Sequence, residues 1–187
     1  MELLEIAKRR KTIRKFRKEA PPLNDILYCI SVAREAPSGM NSQPWRFLIV
    51  SNAKKKKEMR QICEESEKKF YKRMDEKLAN WVKERKITWE KKFLENAPFL
   101  IIIFSDRNSP YYIQSTWLCI GYFLLALEEK GIASLTYTPP NADGIRKWLG
   151  LPSRYRLETI IPVGYSNEDK KKEKRKEIEE IAFFETL

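Results

Sequence analysis

The chain has 187 residues, of which 42% are hydrophobic and 34% are charged, and it carries a formal net charge of +11 at pH 7. This length fits one domain with a sizeable core, and this balance is typical of a globular protein rather than a disordered one. The sequence contains no histidine, which excludes Ser-His and Cys-His nucleophile systems and most zinc sites. Any redox chemistry is therefore expected to come from a cofactor.

The N-terminal part predicts a short helix over 3–10 that leads into a run of cations. Residues 9–16 read Arg-Arg-Lys-Thr-Ile-Arg-Lys-Phe, and this combination of cations and one hydroxyl suits a phosphate monoester. A second helix follows, and we expect Asn24 or Asp25 to cap it because both side chains can accept a hydrogen bond from a free backbone amide.

A polar loop then leads into a strand predicted over 46–50. Pro37 and Gly39 break the preceding helix. The loop supplies hydroxyl and amide groups that both donate and accept hydrogen bonds, from Ser38, Asn41, Ser42 and Gln43. Such groups can hold the polar edge of a heteroaromatic cofactor, although a plain helix-to-strand turn would explain the loop equally well.

A lysine-rich region occupies about 54–95. From Lys54 to Lys92 it carries 12 Lys and 3 Arg against 7 Glu and 1 Asp. Its apolar residues recur mostly every three or four positions, which predicts one long amphipathic helix or two shorter ones. We favour a solvated helix face over a nucleic-acid groove for the lysines, because the aromatic residues follow the helix period.

The second half begins with a uniformly apolar strand, predicted over 99–104, of the kind that is covered on both faces. A helix over 112–130 is apolar on nearly all sides and ends at Gly131. Because a helix buried all round needs more core than one subunit offers, it indicates a dimer.

Further strands are predicted over 134–137 and 159–163, with a short helix capped by Asn141 between them. A hydrophilic run over 166–176 then precedes an apolar tail, which we expect to dock on a partner. The tail consists of Ile178, Ile181, Ala182, Phe183, Phe184 and Leu187.

The three cysteines, Cys29, Cys63 and Cys119, share no Cys-x-x-Cys spacing and stand among apolar neighbours. We interpret them as reduced packing residues rather than redox centres. The chain lacks both a stretch of about 20 apolar residues and the charged-then-apolar order of a signal peptide, so we expect a cytoplasmic protein without a membrane span.

Together, the segments 10–14 and 37–45 resemble two motifs of the flavin-dependent nitroreductase family, an Arg-Arg-Ser-x-Arg-like motif and a Pro-Ser-x-x-Asn-x-Gln-Pro-Trp-like motif. Three later segments resemble the family in the same order, at 131–139, 161–165 and 174–181. The chain departs from the pattern at Lys11, where a second arginine is common, and at Thr12, which replaces serine. Both substitutions keep a cation and a hydroxyl.

The resemblance implies an α+β fold, a three-layer α-β-α sandwich whose central sheet is mixed but mainly antiparallel. It implies one FMN-binding domain over 1–187, with a helical excursion at about 54–95. It also implies an intertwined homodimer in which the arm at about 166–187 is exchanged between subunits and FMN lies at the interface.

On the same basis, the flavin carries the chemistry, so neither a catalytic side chain nor a metal is expected. The phosphate and ribityl end would be held by Arg10, Lys11, Thr12, Arg14 and Arg175. The isoalloxazine would be approached from the other subunit by Pro37, Ser38, Gly39, Asn41 and Gln43. The third cofactor loop would contribute Thr136, Tyr137, Thr138 and Pro139.

The implied reaction is ping-pong transfer of a hydride from NADH or NADPH, through flavin N5, to an electron-poor small molecule such as a nitroaromatic or a quinone. One alternative keeps the fold and the flavin but changes the chemistry, because relatives in this family dehalogenate iodotyrosine or cleave FMN with oxygen. Another, which we favour less, is a non-enzymatic basic protein that binds nucleic acid.

Overall fold

The computed structural model describes residues 2–186. Met1, and Leu187 at the end of the predicted apolar tail, lie outside the described residues. The helices are α1 (Leu3–Arg9), α2 (Leu23–Ala33), α3 (Ala53–Tyr71), α4 (Glu76–Glu84), α5 (Phe93–Asn96), α6 (Tyr112–Glu129) and α7 (Ala142–Trp148). The strands are β1 (Trp45–Val50), β2 (Phe99–Asp106), β3 (Ala133–Ser134) and β4 (Tyr155–Gly164), and 3₁₀ turns span Gly39–Asn41 and Ile178–Glu180.

The four strands form one sheet in the order β1-β2-β4-β3, with every neighbouring pair antiparallel. An isolated parallel bridge joins Thr12 to Ser134 at the β3 edge, so the sheet is mixed but mainly antiparallel. The prediction of an α+β fold with such a sheet is confirmed.

Strand β2 lies at the centre and is covered on both faces. Ile101 and Ile103 belong to one core cluster, with residues of α2 and α6, whereas Leu100 and Ile102 belong to the other, with residues of α3 and α5. Side chains alternate between the two faces of a strand. A strand buried on both faces is therefore expected to be apolar, as this one is from Phe99 to Phe104, whereas Ser105 and Asp106 end it.

Two local predictions were wrong in detail. Helix α2 starts at Leu23 after Pro22, and neither Asn24 nor Asp25 caps it. The fixed φ of proline suits a helix start, and the Asp25 carboxylate instead lies 3.3 Å from Lys130 Nζ. The strand predicted over 134–137 is reduced to Ala133–Ser134, and beyond it Tyr137 forms only a single bridge to Ile160.

Other local signals are confirmed. Asn141 Oδ1 accepts a hydrogen bond from the Gly144 amide over 2.9 Å at the start of α7. Gly131 follows α6 with φ of +68°, a conformation that most residues avoid. Cys29, Cys63 and Cys119 are buried and unpaired, and burial raises the pKa of each thiol to about 12.

The lysine-rich region forms two amphipathic helices, α3 and α4, and then the single turn α5. Asn52 and Asp75 cap α3 and α4 through their side chains. Ten of the twelve lysines from Lys54 to Lys92 are exposed, and the two buried ones are Lys56 and Lys91. Lys56 Nζ donates to the Ala97 carbonyl over 2.6 Å, so the solvated face predicted from the pattern holds apart from these two positions.

Backbone hydrogen bonds hold the N-terminal cationic segment against the start of the C-terminal arm. The Arg17 amide donates to the Tyr165 carbonyl over 2.9 Å, and the Asn167 amide donates to the Lys15 carbonyl over the same distance. The Ile13 amide donates to the Ser134 carbonyl over 3.0 Å. These bonds place residues 12–17 along the β3 edge of the sheet.

Large apolar side chains remain exposed in the single chain. On α6, Trp117, Leu118 and Tyr122 are half-exposed, and in the C-terminal tail Ile178 and Phe184 are 72% and 97% exposed. The helix predicted to be buried on all sides therefore has a face that its own chain does not cover. Separately, within residues 2–186 every helix is too short or too polar to cross a membrane.

Candidate functional site

The cations predicted to bind a phosphate surround one cavity of about 370 Å³. Its lining includes all five residues of that prediction, together with residues near α4 and from the C-terminal arm. The lining residues are Arg10, Lys11, Thr12, Arg14, Trp81, Arg85, Ile87, Lys170, Lys171, Lys172, Glu173 and Arg175. The tertiary structure thus joins Arg175 to a segment more than 160 positions earlier in the chain.

The cavity holds an uncompensated positive charge. Eight of its lining residues are cations and one, Glu173, is an acid. Among residues 2–186, Arg85 lies 3.8 Å from the Glu84 carboxylate, whereas the other seven have no carboxylate within 4.0 Å. Burial and the neighbouring Arg175 lower the pKa of Arg10. Like charges therefore face one another here, an arrangement that an anion would stabilise.

Glu168 fixes the backbone of the cationic segment without neutralising its side chains. One oxygen of its carboxylate accepts hydrogen bonds from the backbone amides of Arg14 and Lys15. Because the carboxylate contacts the amides, the guanidinium of Arg14 stays free to line the cavity. The sequence did not indicate this role, since Glu168 stands in a hydrophilic run that predicts only a flexible arm.

The loop before β1 adopts a strained conformation. Met40, Asn41 and Gln43 have positive φ values of 53°, 51° and 45°. Residues other than glycine seldom adopt such values. Strain of this kind costs about 1–3 kcal/mol per residue and is concentrated at functional sites. Gly39 is required for packing, because a Cβ there would lie 2.7 Å from the Tyr111 ring.

The polar groups of this loop are also ordered. Gln43 Nε2 donates to Asn41 Oδ1 over 3.2 Å, and the Gln43 amide donates to Ser38 Oγ over 3.1 Å. The Gly39 amide donates to Ser115 Oγ on α6 over 3.2 Å. Asn41 and Gln43 are exposed, so their amides keep hydrogen-bonding capacity for a ligand.

Within one chain, the structure does not bring this loop to the cationic cavity. None of Pro37, Ser38, Gly39, Asn41 and Gln43 lines the cavity. The expectation that these residues act from the other subunit therefore stays a prediction.

The third predicted loop is divided between surface and core. Thr136 and Thr138 are exposed, whereas the Tyr137 side chain is buried, as is Pro139. The Tyr137 amide is already bonded to the Ile160 carbonyl over 2.9 Å. Of the backbone amides that this loop could offer to a flavin, that of Tyr137 is thus already used, and those of Thr136 and Thr138 are the candidates.

A buried polar cluster that the sequence analysis missed lies on the α3 side of the sheet. Lys91 Nζ is 3.2 Å from Glu67 Oε2, and both side chains are 8% exposed. The Tyr137 hydroxyl donates to Glu67 Oε1 over 2.9 Å, and the Tyr71 ring lies 5.5 Å from Lys91 Nζ. The cluster thus combines a carboxylate, an ammonium and two phenols.

The pKa shifts in this cluster follow from its burial. Burial lowers the pKa of Lys91, the charge of Glu67 opposes that effect, and the charge of Arg14 adds to it. Burial and the neighbouring Cys63 and Glu67 raise the pKa of Tyr137. Glu67 and Lys91 could not be paired from the sequence, because 24 positions separate them.

Comparison with known proteins gives a consistent result. A model of the Nitroreductase family matches residues 7–165. The chain is 51% identical over 176 residues to an iodotyrosine deiodinase of Thermotoga neapolitana, covering 94% of this chain and 95% of that protein. It is 34% identical over 194 residues to an iodotyrosine deiodinase of Nematostella vectensis, covering 96% and 74%.

Two solved structures extend the comparison. A crystal structure of oxidized iodotyrosine deiodinase bound to FMN and 3-iodo-L-tyrosine is 49% identical, with a TM-score of 0.95 and complete coverage of both chains. A nitroreductase with bound FMN from Desulfitobacterium hafniense is 25% identical, with a TM-score of 0.76 and coverage of 99% and 100%. Since sequence and fold agree along most of its length, this chain belongs to the nitroreductase family.

Proposed function

We propose that this protein is an FMN-dependent reductive dehalogenase that acts on halogenated tyrosine. The observation that carries the proposal is the similarity to iodotyrosine deiodinases along nearly the whole chain, with 51% sequence identity to a curated relative and a TM-score of 0.95 to a solved structure of such an enzyme. It favours the dehalogenation alternative over the expected transfer of hydride from NADH or NADPH to a nitroaromatic or a quinone.

The cationic cavity suits the phosphate of FMN. A phosphate monoester carries about 1.5 to 2 negative charges near neutral pH and three acceptor oxygens. Arg10, Lys11, Arg14 and Arg175 would supply charged donors, and Thr12 a hydroxyl. An anion at this place would relieve the repulsion between Arg10 and Arg175 that lowers the pKa of Arg10.

The strained loop suits the ring system. Asn41 and Gln43 present amides at the surface, and the bond between their side chains fixes their orientation. Amides both donate and accept, which matches a heteroaromatic edge that carries carbonyls and ring nitrogens. The loop would approach from the second subunit, with Pro37, Ser38 and Gly39 as its rigid frame.

Bound FMN would supply the two electrons that reductive dehalogenation consumes. In this reaction the carbon–halogen bond breaks, halide leaves with the bonding pair, and a proton completes the new carbon–hydrogen bond. The tasks left to the chain are to orient the substrate and to exclude water. Trp81 and Ile87, which wall the cavity near α4, would serve the second task.

The buried polar cluster suits the amino-acid part of the substrate. An amino acid carries one ammonium and one carboxylate, and Glu67 and Lys91 present the complementary charges 3.2 Å apart. Buried ion pairs gain little stability over apolar packing, so a binding role is a reason for their presence. The pair would open to bind the substrate ammonium at Glu67 and its carboxylate at Lys91.

We also propose that the protein acts as a homodimer. The uncovered face of α6 and the exposed tail around Phe184 form more apolar surface than a monomer usually leaves in water. Residues 167–175 pack on their own chain, through the bonds of Asn167 and Glu168 and the place of Arg175 in the cavity. A second subunit would therefore cover the face of α6 and the tail from Ile178 onward, and it would bring the loop at 37–43 to the flavin.

The dehalogenation proposal predicts iodide release from 3-iodo-L-tyrosine by the FMN-loaded protein under anaerobic conditions with dithionite as reductant. Iodide, measured by ion chromatography, and tyrosine, measured by HPLC, should form in equal amounts. Parallel reactions supply NADH or NADPH with a nitroaromatic. Reduction of the nitroaromatic without release of iodide from 3-iodo-L-tyrosine would contradict dehalogenation and favour nitroreduction. Loss of flavin absorbance under oxygen would indicate flavin cleavage.

Replacement of Arg10 and Arg14 together by alanine is expected to weaken FMN binding at least about 100-fold. Each lost charged hydrogen bond contributes about 1.5–3 kcal/mol. FMN affinity is measured by quenching of flavin fluorescence. The control removes two exposed arginines elsewhere, Arg73 and Arg154, and equal weakening in both variants would contradict the phosphate site.

The variant Glu67→Gln is expected to lower kcat/KM for 3-iodo-L-tyrosine about 10- to 100-fold, because it removes the charge that binds the ammonium. Turnover of 2-iodophenol, which has no amino-acid part, should stay within about twofold. Glutamine still accepts the Tyr137 hydrogen bond, so the fold is retained. Glu65→Gln, on the exposed side of α3, is the control. Equal losses on both substrates would argue against this role.

Sedimentation velocity of the FMN-loaded protein should give a mass close to twice the chain mass of 22.2 kDa. Substituting Ile178 and Phe184 by serine should weaken dimerisation at least about tenfold, because both lose apolar burial at the interface. The control Phe70→Ser changes an exposed aromatic residue on α3. A monomeric wild-type protein at micromolar concentration would refute the dimer.

A further inference from the structure

The basic surface around the cavity is larger than one phosphate requires. Residues 8–18 contain eight cations and no acid, and residues 166–176 contain six cations and three acids. The hydrogen bond from the Arg17 amide to Tyr165 and that from the Asn167 amide to Lys15 hold these two segments side by side. The structure therefore merges two basic runs into one surface.

The charge of the cavity can be compared with that of its proposed ligand. Eight cations and one carboxylate line the cavity. A phosphate dianion would neutralise two of these charges, which leaves a surplus of about five. Its three oxygens can accept from only a few donors, so most of the surrounding cations would keep their charge free.

The surplus cations lie where a large partner could reach them. Lys171 is exposed, and Lys170 is partly exposed at the cavity mouth. Lys15 and Lys18, on the neighbouring segment, are exposed as well. Among residues 2–186 none of these four lysines has a carboxylate within 4.0 Å. We call these four residues the basic rim.

The proposed reaction requires an electron donor, which the basic rim could bind. Reductive dehalogenation consumes two electrons per turnover, and the cysteines are too deeply buried to deliver them, with a pKa of about 12 for each thiol. An external donor must therefore reach the cofactor. A donor protein that docks at the rim would approach the phosphate end without contacting the buried pair of Glu67 and Lys91, which is proposed to bind the amino-acid part of the substrate.

We propose that the basic rim docks a small acidic electron-carrier protein, which supplies the electrons for dehalogenation. This inference rests on the proposed function. In each turnover two reduced carriers lose one electron each, the carbon–iodine bond breaks, iodide leaves with the bonding pair, and a solvent proton forms the new carbon–hydrogen bond. Complementary charge would speed the encounter and align the carrier with the cavity mouth.

A nucleic acid fits the same surface less well. Single strands bind through aromatic side chains on which bases stack, and the sole aromatic residue of 8–18, Phe16, is buried. The run 166–176 has no aromatic residue at all. At the cavity, one face of the Trp81 ring is covered by the Arg85 guanidinium at 4.4 Å. The surface offers charge without stacking, which suits a folded acidic partner.

The test uses the FMN-loaded protein and an acidic plant-type [2Fe–2S] ferredoxin as probe, with binding followed by fluorescence anisotropy of the labelled ferredoxin. We expect a dissociation constant in the micromolar range at low salt. Affinity should fall at least about tenfold between about 20 mM and 200 mM salt, because screening weakens contacts between exposed charges.

The paired variant Lys170→Glu with Lys171→Glu should weaken ferredoxin binding at least about tenfold. The matched variant Lys54→Glu with Lys57→Glu changes the net charge equally, but α3 follows β1, at the sheet edge opposite the rim. It should bind ferredoxin within about twofold of wild type. FMN content is measured first, so that loss of cofactor is not mistaken for loss of docking.

Several results would overturn the inference. They are absence of ferredoxin binding at low salt, equal weakening in both variants, and tighter binding of a duplex or single-stranded oligonucleotide under the same conditions. If dithionite still drives iodide release in those cases, the proposed function stands and only the docking surface fails. If dithionite also fails, the proposed function falls independently of the rim.

Discussion

The cationic cavity depends on one constraint, which is that several like charges are held together by buried apolar side chains and by hydrogen bonds of the backbone, two of which Glu168 accepts. Ile13 lies between the cavity-lining Thr12 and Arg14, Phe16 follows two positions after Arg14, and both apolar side chains are buried. Burial of such a side chain contributes about 1.5–3 kcal/mol, whereas two exposed like charges 4 Å apart repel by about 1 kcal/mol in water. The burial of one apolar anchor thus contributes more than the repulsion of one such pair costs, and it helps to hold the cations near one another.

The sheet separates the two kinds of chemistry that the molecule combines. On one face, α2 and α6 support the strained loop around Asn41, which ends in β1. On the other, α3 and the segment after α4 carry Glu67 and Lys91. The antiparallel strands in the centre contribute mainly apolar packing, and two of their buried polar groups, Ser105 and Glu158, are hydrogen-bonded to each other. The candidate site residues therefore lie at the edges of a core whose central strands are mostly apolar because both of their faces are buried.

Charge and apolarity together leave the single chain incomplete. Residues of α6 and the tail expose large apolar groups, and the loop at 37–43 does not reach the cavity of its own chain. The proposed second copy of the chain would account for both features. The strain at Met40, Asn41 and Gln43 is then maintained by packing against Tyr111 and Ser115 rather than by local sequence preference.

The sequence by itself determined the features that depend on neighbours along the chain. Periodicity located the helices and the apolar strand β2, and the caps at Asn141 and Gly131 were readable because a cap acts within one turn. The order of motifs was enough to indicate the family. Local rules failed at Asn24 and Asp25, where Pro22 sets the helix start instead.

Only the tertiary structure decided which distant groups meet. Glu168 bound the Arg14 amide, and Lys91 left the solvated face to pair with Glu67. In each case the partners lie 24 or more positions apart, and their side chains look like ordinary surface charges in the sequence. Pairing of this kind is fixed by how the strands and helices pack, because the energy of a charge depends on what surrounds it in space.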